Sequence, residues 1–144
     1  MPVSTDVIGT ELPPLTMTID PGRVRFFAKA IGETLPDGID PAKIPVPPTF
    51  LFAIELDQPD PFAWLTALGI DLALILHGSQ RFIYHSTAAA GDTLVARPRI
   101  VDVYSKKNGA LEFIVKQTSV TRADGTPVAD LISTLVVRHP ETAQ

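Results

Sequence analysis

The spacing of apolar and polar residues along this chain changes from a helical period to an alternating one near His77. In the first half, Val24, Phe27, Ala28 and Ile31 recur at i, i+3, i+4 and i+7, with Arg23, Arg25 and Lys29 off that stripe. Asp20-Pro21 supplies an N-cap followed by a first-turn proline, and Gly32 a C′ residue, so a helix is predicted between them. Leu15-Thr16-Met17-Thr18-Ile19 alternates ahead of it, as a short strand does.

The stretch Val46–Leu56 is different in kind. From Phe50 to Leu56 only Glu55 is polar, which predicts a short helix apolar nearly all round, and such a helix is buried. Pro48 or Thr49 is placed to start it, as first-turn proline or hydroxyl cap. It is too short to cross a bilayer, which takes roughly 20 apolar residues. Before it, Glu33 to Pro45 is irregular. After it, Asp57 to Pro61 breaks the helix, Phe62 to Gly69 predicts another short one, and Ile70 to Leu76 fits either extended chain or helix.

Beyond His77 the pattern is that of strands. Arg81 to His85 is β-prone, and Leu94 to Tyr104 is long and β-rich, with Pro98 at a bulge or an edge. Lys107-Asn108-Gly109 predicts a type I′ hairpin turn, and Asp124-Gly125 a second hairpin. Between them Leu111, Phe113 and Val115 alternate with Glu112, Ile114 and Lys116. In the last strand, Val128 to Arg138, Leu131, Ser133, Leu135 and Val137 share a face. Helices first and an antiparallel meander after them make an α+β fold.

Composition narrows the partners more than the fold. At 144 residues with 45% hydrophobic side chains, the chain predicts one domain over 1–144, able to bury roughly 70% of its unfolded surface. A net charge of −4 without a basic run argues against nucleic acid or an anionic membrane. The lack of cysteine excludes disulfides and thiolate metal sites, and three scattered histidines predict no metal. The first residues carry neither a basic nor an apolar leader segment, so a cytoplasmic protein is expected. Prolines concentrate between Pro36 and Pro61, which predicts a loop-rich middle.

Four segments in order carry a family resemblance: Pro21 to Glu33, then Pro47-Pro48-Thr49-Phe50, then Leu76-His77-Gly78-Ser79-Gln80-Arg81-Phe82-Ile83-Tyr84-His85, then Gly91-Asp92-Thr93-Leu94. With the Asn108-Gly109 and Asp124-Gly125 hairpins, the chain resembles the N-terminal MaoC-like, or FAS1-like, dehydratase domain over nearly its whole length. The resemblance implies a hotdog fold, in which an antiparallel sheet wraps a short buried helix. It also implies (R)-specific enoyl-thioester hydratase or 3-hydroxyacyl dehydratase chemistry, without a cofactor. In active members a motif resembling Ser-Gly-Asp-x-Asn-Pro-Leu-His-x-Asp-Pro supplies an Asp and a His that share one water and move its protons. The N-terminus of the buried helix polarises the thioester carbonyl.

Laid on this chain, that motif falls on Ile31 to Pro41, with Glu33 in the place of the Asp and Gly38 in that of the His. Glycine takes no proton, so the dyad is broken. Such a hotdog is expected to bind the acyl group beside a catalytic hotdog, as a heterodimer or homodimer, on an acyl-CoA or acyl-carrier-protein thioester. The catalytic candidates are Glu33, His77 and His85, against which stand a solvated loop carboxylate and structural hydrogen bonds. Pro48, Thr49, Phe50, Trp64 and Arg81 are the substrate-binding candidates, although aromatic residues in such segments also serve as plain core. Arg97, Arg99, Lys106 and Lys107 are further phosphate candidates, and His139 is expected to be solvated. Alternatives are a self-sufficient hotdog hydratase or thioesterase, the latter using Glu33 or Glu55, and an acyl-CoA binding protein without turnover.

Overall fold

A computed structural model describes residues 2–140. Helix α1 runs Pro21–Ala30, with Asp20 Oδ2 accepting from the Arg23 N–H at 2.9 Å. Gly32, at φ +81°, turns the chain left-handed, and the Glu33 N–H reaches back to Ala28 O at 2.8 Å. Both helix ends stand where the sequence puts them.

The apolar stretch forms a 3₁₀ turn, Phe50–Phe52, that runs into helix α2, Ala53–Leu56. Two of its expected properties are corrected. Thr49 makes no side-chain cap; the Phe50 N–H donates instead to Pro47 O at 2.9 Å. Nor is the helix buried all round, because Leu56 is 41% exposed while Glu55 is 4% exposed. Two helical turns can press only one face on the sheet. Positions 50, 51, 54 and 55 lie within one such face, so the carboxylate goes in and Leu56 stays out.

Helix α3, Ala63–Ala67, ends before Gly69 at φ +76°. The ambiguous stretch after it resolves into a 3₁₀ turn, Leu72–Leu74, capped by Asp71, and a strand that begins at Ile75. No helix is long and apolar enough to cross a membrane among the described residues.

Strands β1 (Leu15–Thr18), β2 (Ile75–Tyr84), β3 (Thr93–Lys106), β4 (Leu111–Arg122) and β5 (Pro127–Arg138) form one antiparallel sheet in the order β1-β3-β4-β5-β2. Lys107 and Asn108 at φ +52° and Gly109 at φ +86° turn the chain left-handed between the paired Lys106 and Leu111, where the sequence puts the β3–β4 hairpin. Pro98 O accepts from the Leu12 N–H at 2.9 Å, so its missing donor lies on the side away from β4, where residues 9–12 run alongside β3; Pro98 is thus at neither an open edge nor the bulge, which comes later, between Ile100 and Asp102.

Strand β2 starts well before the predicted Arg81. Its polar run His77-Gly78-Ser79-Gln80 carries no apolar alternation, and pairing with β5 holds it extended. The ladder slips between His77 and Ser79, at Gly78. A Cβ there would stand 2.9 Å from Val136 Cγ2 and 3.1 Å from Thr134 O. Gly78→Ala is therefore expected to cost about 1–3 kcal/mol in urea unfolding. An unchanged midpoint would show that the bulge absorbs the methyl group.

The inner face of the sheet holds two apolar clusters. One joins Phe50, Leu51 and Ile54 to Leu94, Ala96, Val120 and Leu131. The other packs Leu65 and Ile70 on Ile100, Ile114 and Val137. Wrapping of the sheet around the Phe50–Leu56 helix gives the expected α+β hotdog. The faces of β4 are less intuitive: Glu112, Ile114, Lys116, Thr118 and Val120 point inward, while Leu111, Phe113 and Val115 are half-buried on the other side. There Phe113 stacks on Tyr104 with centroids 4.8 Å apart, and Lys106 Nζ stands over both rings.

Candidate functional site

Between the two apolar clusters, a row of polar side chains crosses the inner face of the sheet. Gln80 of β2 pairs with Ser133 of β5, and Ser133 with Lys116 of β4. Thr118 follows two positions along β4. Ser133 Oγ donates to Gln80 Oε1 at 2.5 Å. Glu55 of α2 comes down onto the row: Thr118 Oγ1 donates to Glu55 Oε1, and Lys116 Nζ stands 3.3 Å from the same oxygen. Lys116 Nζ also lies 4.9 Å from the centre of the Trp64 ring, which attracts the cation. A buried lysine needs such partners.

Two apolar hollows meet at this cluster, and both are lined by Glu55, Pro61, Trp64 and Lys116. One, of about 390 Å³, extends toward Leu12, Leu15, Leu68, Pro98 and Ile100. The other, of about 330 Å³, extends toward Phe52, Leu56, Phe62, His77 and Leu135. Together they form a greasy cleft with one charged pair at its floor. The geometry suits an apolar chain that passes under Trp64.

Trp64 lines both hollows. Phe50 lies instead in the core, edge-to-face with Phe27 at 5.5 Å. Pro48 is tied to the sheet, since the Tyr84 hydroxyl donates to its carbonyl. Thr49 is exposed, and its carbonyl accepts from the Phe52 N–H at 3.3 Å. Arg81 is exposed, and alternation along β2 sets it opposite Gln80 and Phe82. Arg97 and Arg99 line a separate hollow with Glu11 and Gln117.

Glu33 is exposed and lines a polar hollow with Arg25, Lys29, Asp37 and Gly38. That hollow shares no residue with the cleft. His77 lines the cleft, where its ring stacks on Phe52 at 5.4 Å and its Nε2 lies 3.0 Å from Ser79 O. His85 pairs outside it with Asp130, at 2.9 Å. The structure thus brings none of Glu33, His77 and His85 together. His139, expected to be solvated, is instead held 2.7 Å from the buried Glu112, which also accepts from the Val3 N–H. Glu112 thereby ties both ends of the described chain to the sheet; the sequence also predicts a frayed tail after His139, and its residues beyond Pro140 lie outside those described. Among the described residues, no His, Asp and Glu side chains cluster as a metal site would require.

Burial pushes the Tyr84 phenol from 10.0 up to about 12. The fold therefore favours the neutral phenol, and that stabilisation is full below pH 10 and lost as pH rises toward about 12. Stability of the native chain is expected to fall more steeply than that of Tyr84→Phe across that window, followed by urea unfolding at fixed pH. Parallel curves would remove Tyr84 as the cause.

Lys116, Thr118, Ser133 and Gln80 were not singled out from sequence. Their only signature was parity: Lys116 and Thr118 alternate in step with Ile114 and Val120. Glu55 was visible as the lone polar residue of its stretch.

Comparison with known proteins agrees with this architecture. The family model of the FAS1-like, dehydratase domain region matches residues 6–131. A UPF0336 protein of Saccharopolyspora erythraea is 33% identical over 148 residues, covering 96% of this chain and 93% of that protein. The UPF0336 protein Lxx02810 of Leifsonia xyli is 33% identical over 155 residues, covering 98% and 99%. Among solved structures, a chain of the HadBC (3R-hydroxyacyl-ACP dehydratase) complex of Mycobacterium tuberculosis superposes with a TM-score of 0.72 at 24% identity, over 92% of this chain and 98% of that one. A chain of the ChsH1–ChsH2 complex of the same organism gives 0.71 at 18% identity, over 91% and 85%. The MaoC-like dehydratase from Phytophthora capsici gives 0.77 at 24% identity, over 96% of this chain and 51% of the longer one. At these identities the structural likenesses establish the fold.

Proposed function

Because this chain belongs to the FAS1-like dehydratase domain region, a MaoC-like hotdog family, we propose that it is the acyl-binding subunit of a (3R)-hydroxyacyl-thioester dehydratase or enoyl-thioester hydratase. In this reading a second hotdog subunit supplies the proton-transfer groups. The observation that carries it is the separation of cleft from motif. The chain keeps an apolar cleft under Trp64 that suits an acyl chain. The loop that would carry the acid–base pair holds Glu33 and Gly38, exposed and lining a different hollow. Proton transfer needs both groups within reach of one water. Here one of them has no side chain.

The neighbours HadBC and ChsH1–ChsH2 are each a complex of two named components, which supports a heteromeric assembly. The β2 edge gives such a partner a place to join, because among the described residues β2 pairs with β5 alone. An unpaired edge exposes a row of backbone donors and acceptors that a second sheet can satisfy. The substrate is an acyl thioester of CoA or of a carrier protein, and the site of action the cytoplasm.

The test is hydration of crotonyl-CoA and of a longer enoyl-CoA. The chain alone is expected to stay at background, and activity to appear when a MaoC-like chain with an intact Asp and His is added. Robust hydration by the chain alone would overturn the division of labour. Thioester hydrolysis is a second reading, favoured by the place of Glu55 in the cleft. It ranks lower because Thr118 and Lys116 already occupy Glu55 Oε1. Acyl-CoA hydrolysis that disappears in Glu55→Gln would reverse that order.

A further inference from the structure

Among the described residues, two buried side-chain polar atoms have no hydrogen-bond partner, Glu55 Oε2 and Gln80 Nε2. Both belong to the polar row. One is an acceptor without a donor, the other a donor without an acceptor. Buried polar groups are nearly always paired, and an unpaired one costs about 1–3 kcal/mol. Lys116 adds further donor capacity: its ammonium carries three N–H groups and has one carboxylate oxygen and a ring face as neighbours. Glu55 Oε2 and Lys116 Nζ therefore offer a free acceptor and spare donors where the two hollows meet, while Gln80 lines neither hollow.

We propose that this row is a polar recognition point within the acyl cleft, and that it selects a ligand bearing a neutral group that both donates and accepts, an alcohol or a secondary amide, along an otherwise apolar chain. The inference rests on the acyl-binding reading. Glu55 Oε2 accepts the ligand's O–H or N–H, and Lys116 Nζ donates to the oxygen of the same alcohol or, for an amide, to a neighbouring carbonyl oxygen. Glu55 and Lys116 together carry no net charge, so a neutral dipolar group fits them better than a carboxylate, which Glu55 would repel. Two sources supply this chemistry: a hydroxyl on the acyl chain, or an amide of the pantetheine arm.

Trp64 is the one tryptophan of the chain and lines both hollows, so its fluorescence reports binding directly. Three probes separate the sources: octanoyl-CoA, 7-hydroxyoctanoyl-CoA, and the S-ethyl thioester of octanoic acid, which has no amide. A hydroxyl-reading row binds the hydroxylated CoA about tenfold more tightly than octanoyl-CoA, and an amide-reading row binds octanoyl-CoA about tenfold more tightly than the S-ethyl thioester. Either preference is expected to vanish in Glu55→Leu/Lys116→Met, a pair of substitutions that keeps the volume apolar, while the S-ethyl thioester still binds. Equal affinity for all three probes, or a preference that survives in the double variant, overturns the inference and leaves the acyl-binding reading standing. Failure of every probe to bind, with or without a catalytic partner, overturns both.

Discussion

Glu55→Ala is expected to lower the stability of the chain by about 3–5 kcal/mol, the cost of leaving a buried charge without its partner. Side-chain exposures of 4% for Glu55 and 11% for Lys116 put this pair among buried ion pairs rather than surface ones, which contribute little. Removal of the carboxylate strips Lys116 of its counter-charge and Thr118 of its acceptor together. The Trp64 face offers the cation about 2 kcal/mol, less than the loss of its counter-charge. Lys116→Met should be costly for the mirrored reason.

The double substitution Glu55→Leu/Lys116→Met should return stability to within about 1 kcal/mol of the native chain, because well-packed apolar residues replace a buried pair at little or no net cost. Urea unfolding of the four proteins closes the cycle, with the midpoint read at constant slope. Single losses below about 1 kcal/mol without coupling would mean that the pair is solvated. Such a result would also weaken the recognition row. The same cycle therefore bears on structure and function at once.

Phe50→Ala is expected to cost about 3–5 kcal/mol, the usual penalty for a large core aromatic. Phe50 is 3% exposed and packs edge-to-face on Phe27, so it joins the α2 stretch, α1 and the sheet in one cluster. The informative control sits at the far end of the same stretch. Leu56→Ala should cost well under 1 kcal/mol, since Leu56 faces outward and 41% of it is exposed. Thermal or urea unfolding of the two variants side by side decides the matter. Equal losses would show that the helix is buried on every side, as its composition alone suggests.

Much of the fold was legible because its instructions are local. The cap Asp20, the closing Gly32, the Asn108 turn and the Asp124-Gly125 hairpin act through their own backbone geometry, and each stands where its residues imply. Elements held by distant partners were harder to read. The first half of β2 is polar and becomes a strand because β5 lies beside it. His139 looked like part of a loose end, yet Glu112, on a different element, holds it.

The candidate site shows the same division more sharply. The residues themselves carry the greasy Phe50–Leu56 stretch with a single carboxylate, and the family resemblance sets Gly38 where active members have a histidine. Both depend on which side chains exist. Which of them face one another is a matter of register, because a slip of one residue along β4 would exchange Lys116 and Thr118 for Val115 and Gln117 on the inner face. Alternation by itself leaves both faces of β4 open, Leu111, Phe113 and Val115 standing against Glu112, Ile114 and Lys116. The turns at either end of β4 and its pairing with β3 and β5 turn the second set inward. The chain's own residues thus determine that Glu33 and Gly38 stand at the two motif positions and that Glu55 is the lone polar side chain of its stretch. Only the tertiary structure decides that Glu55, Lys116, Ser133 and Gln80 meet in one polar row, with Glu55 and Lys116 at the floor of the cleft.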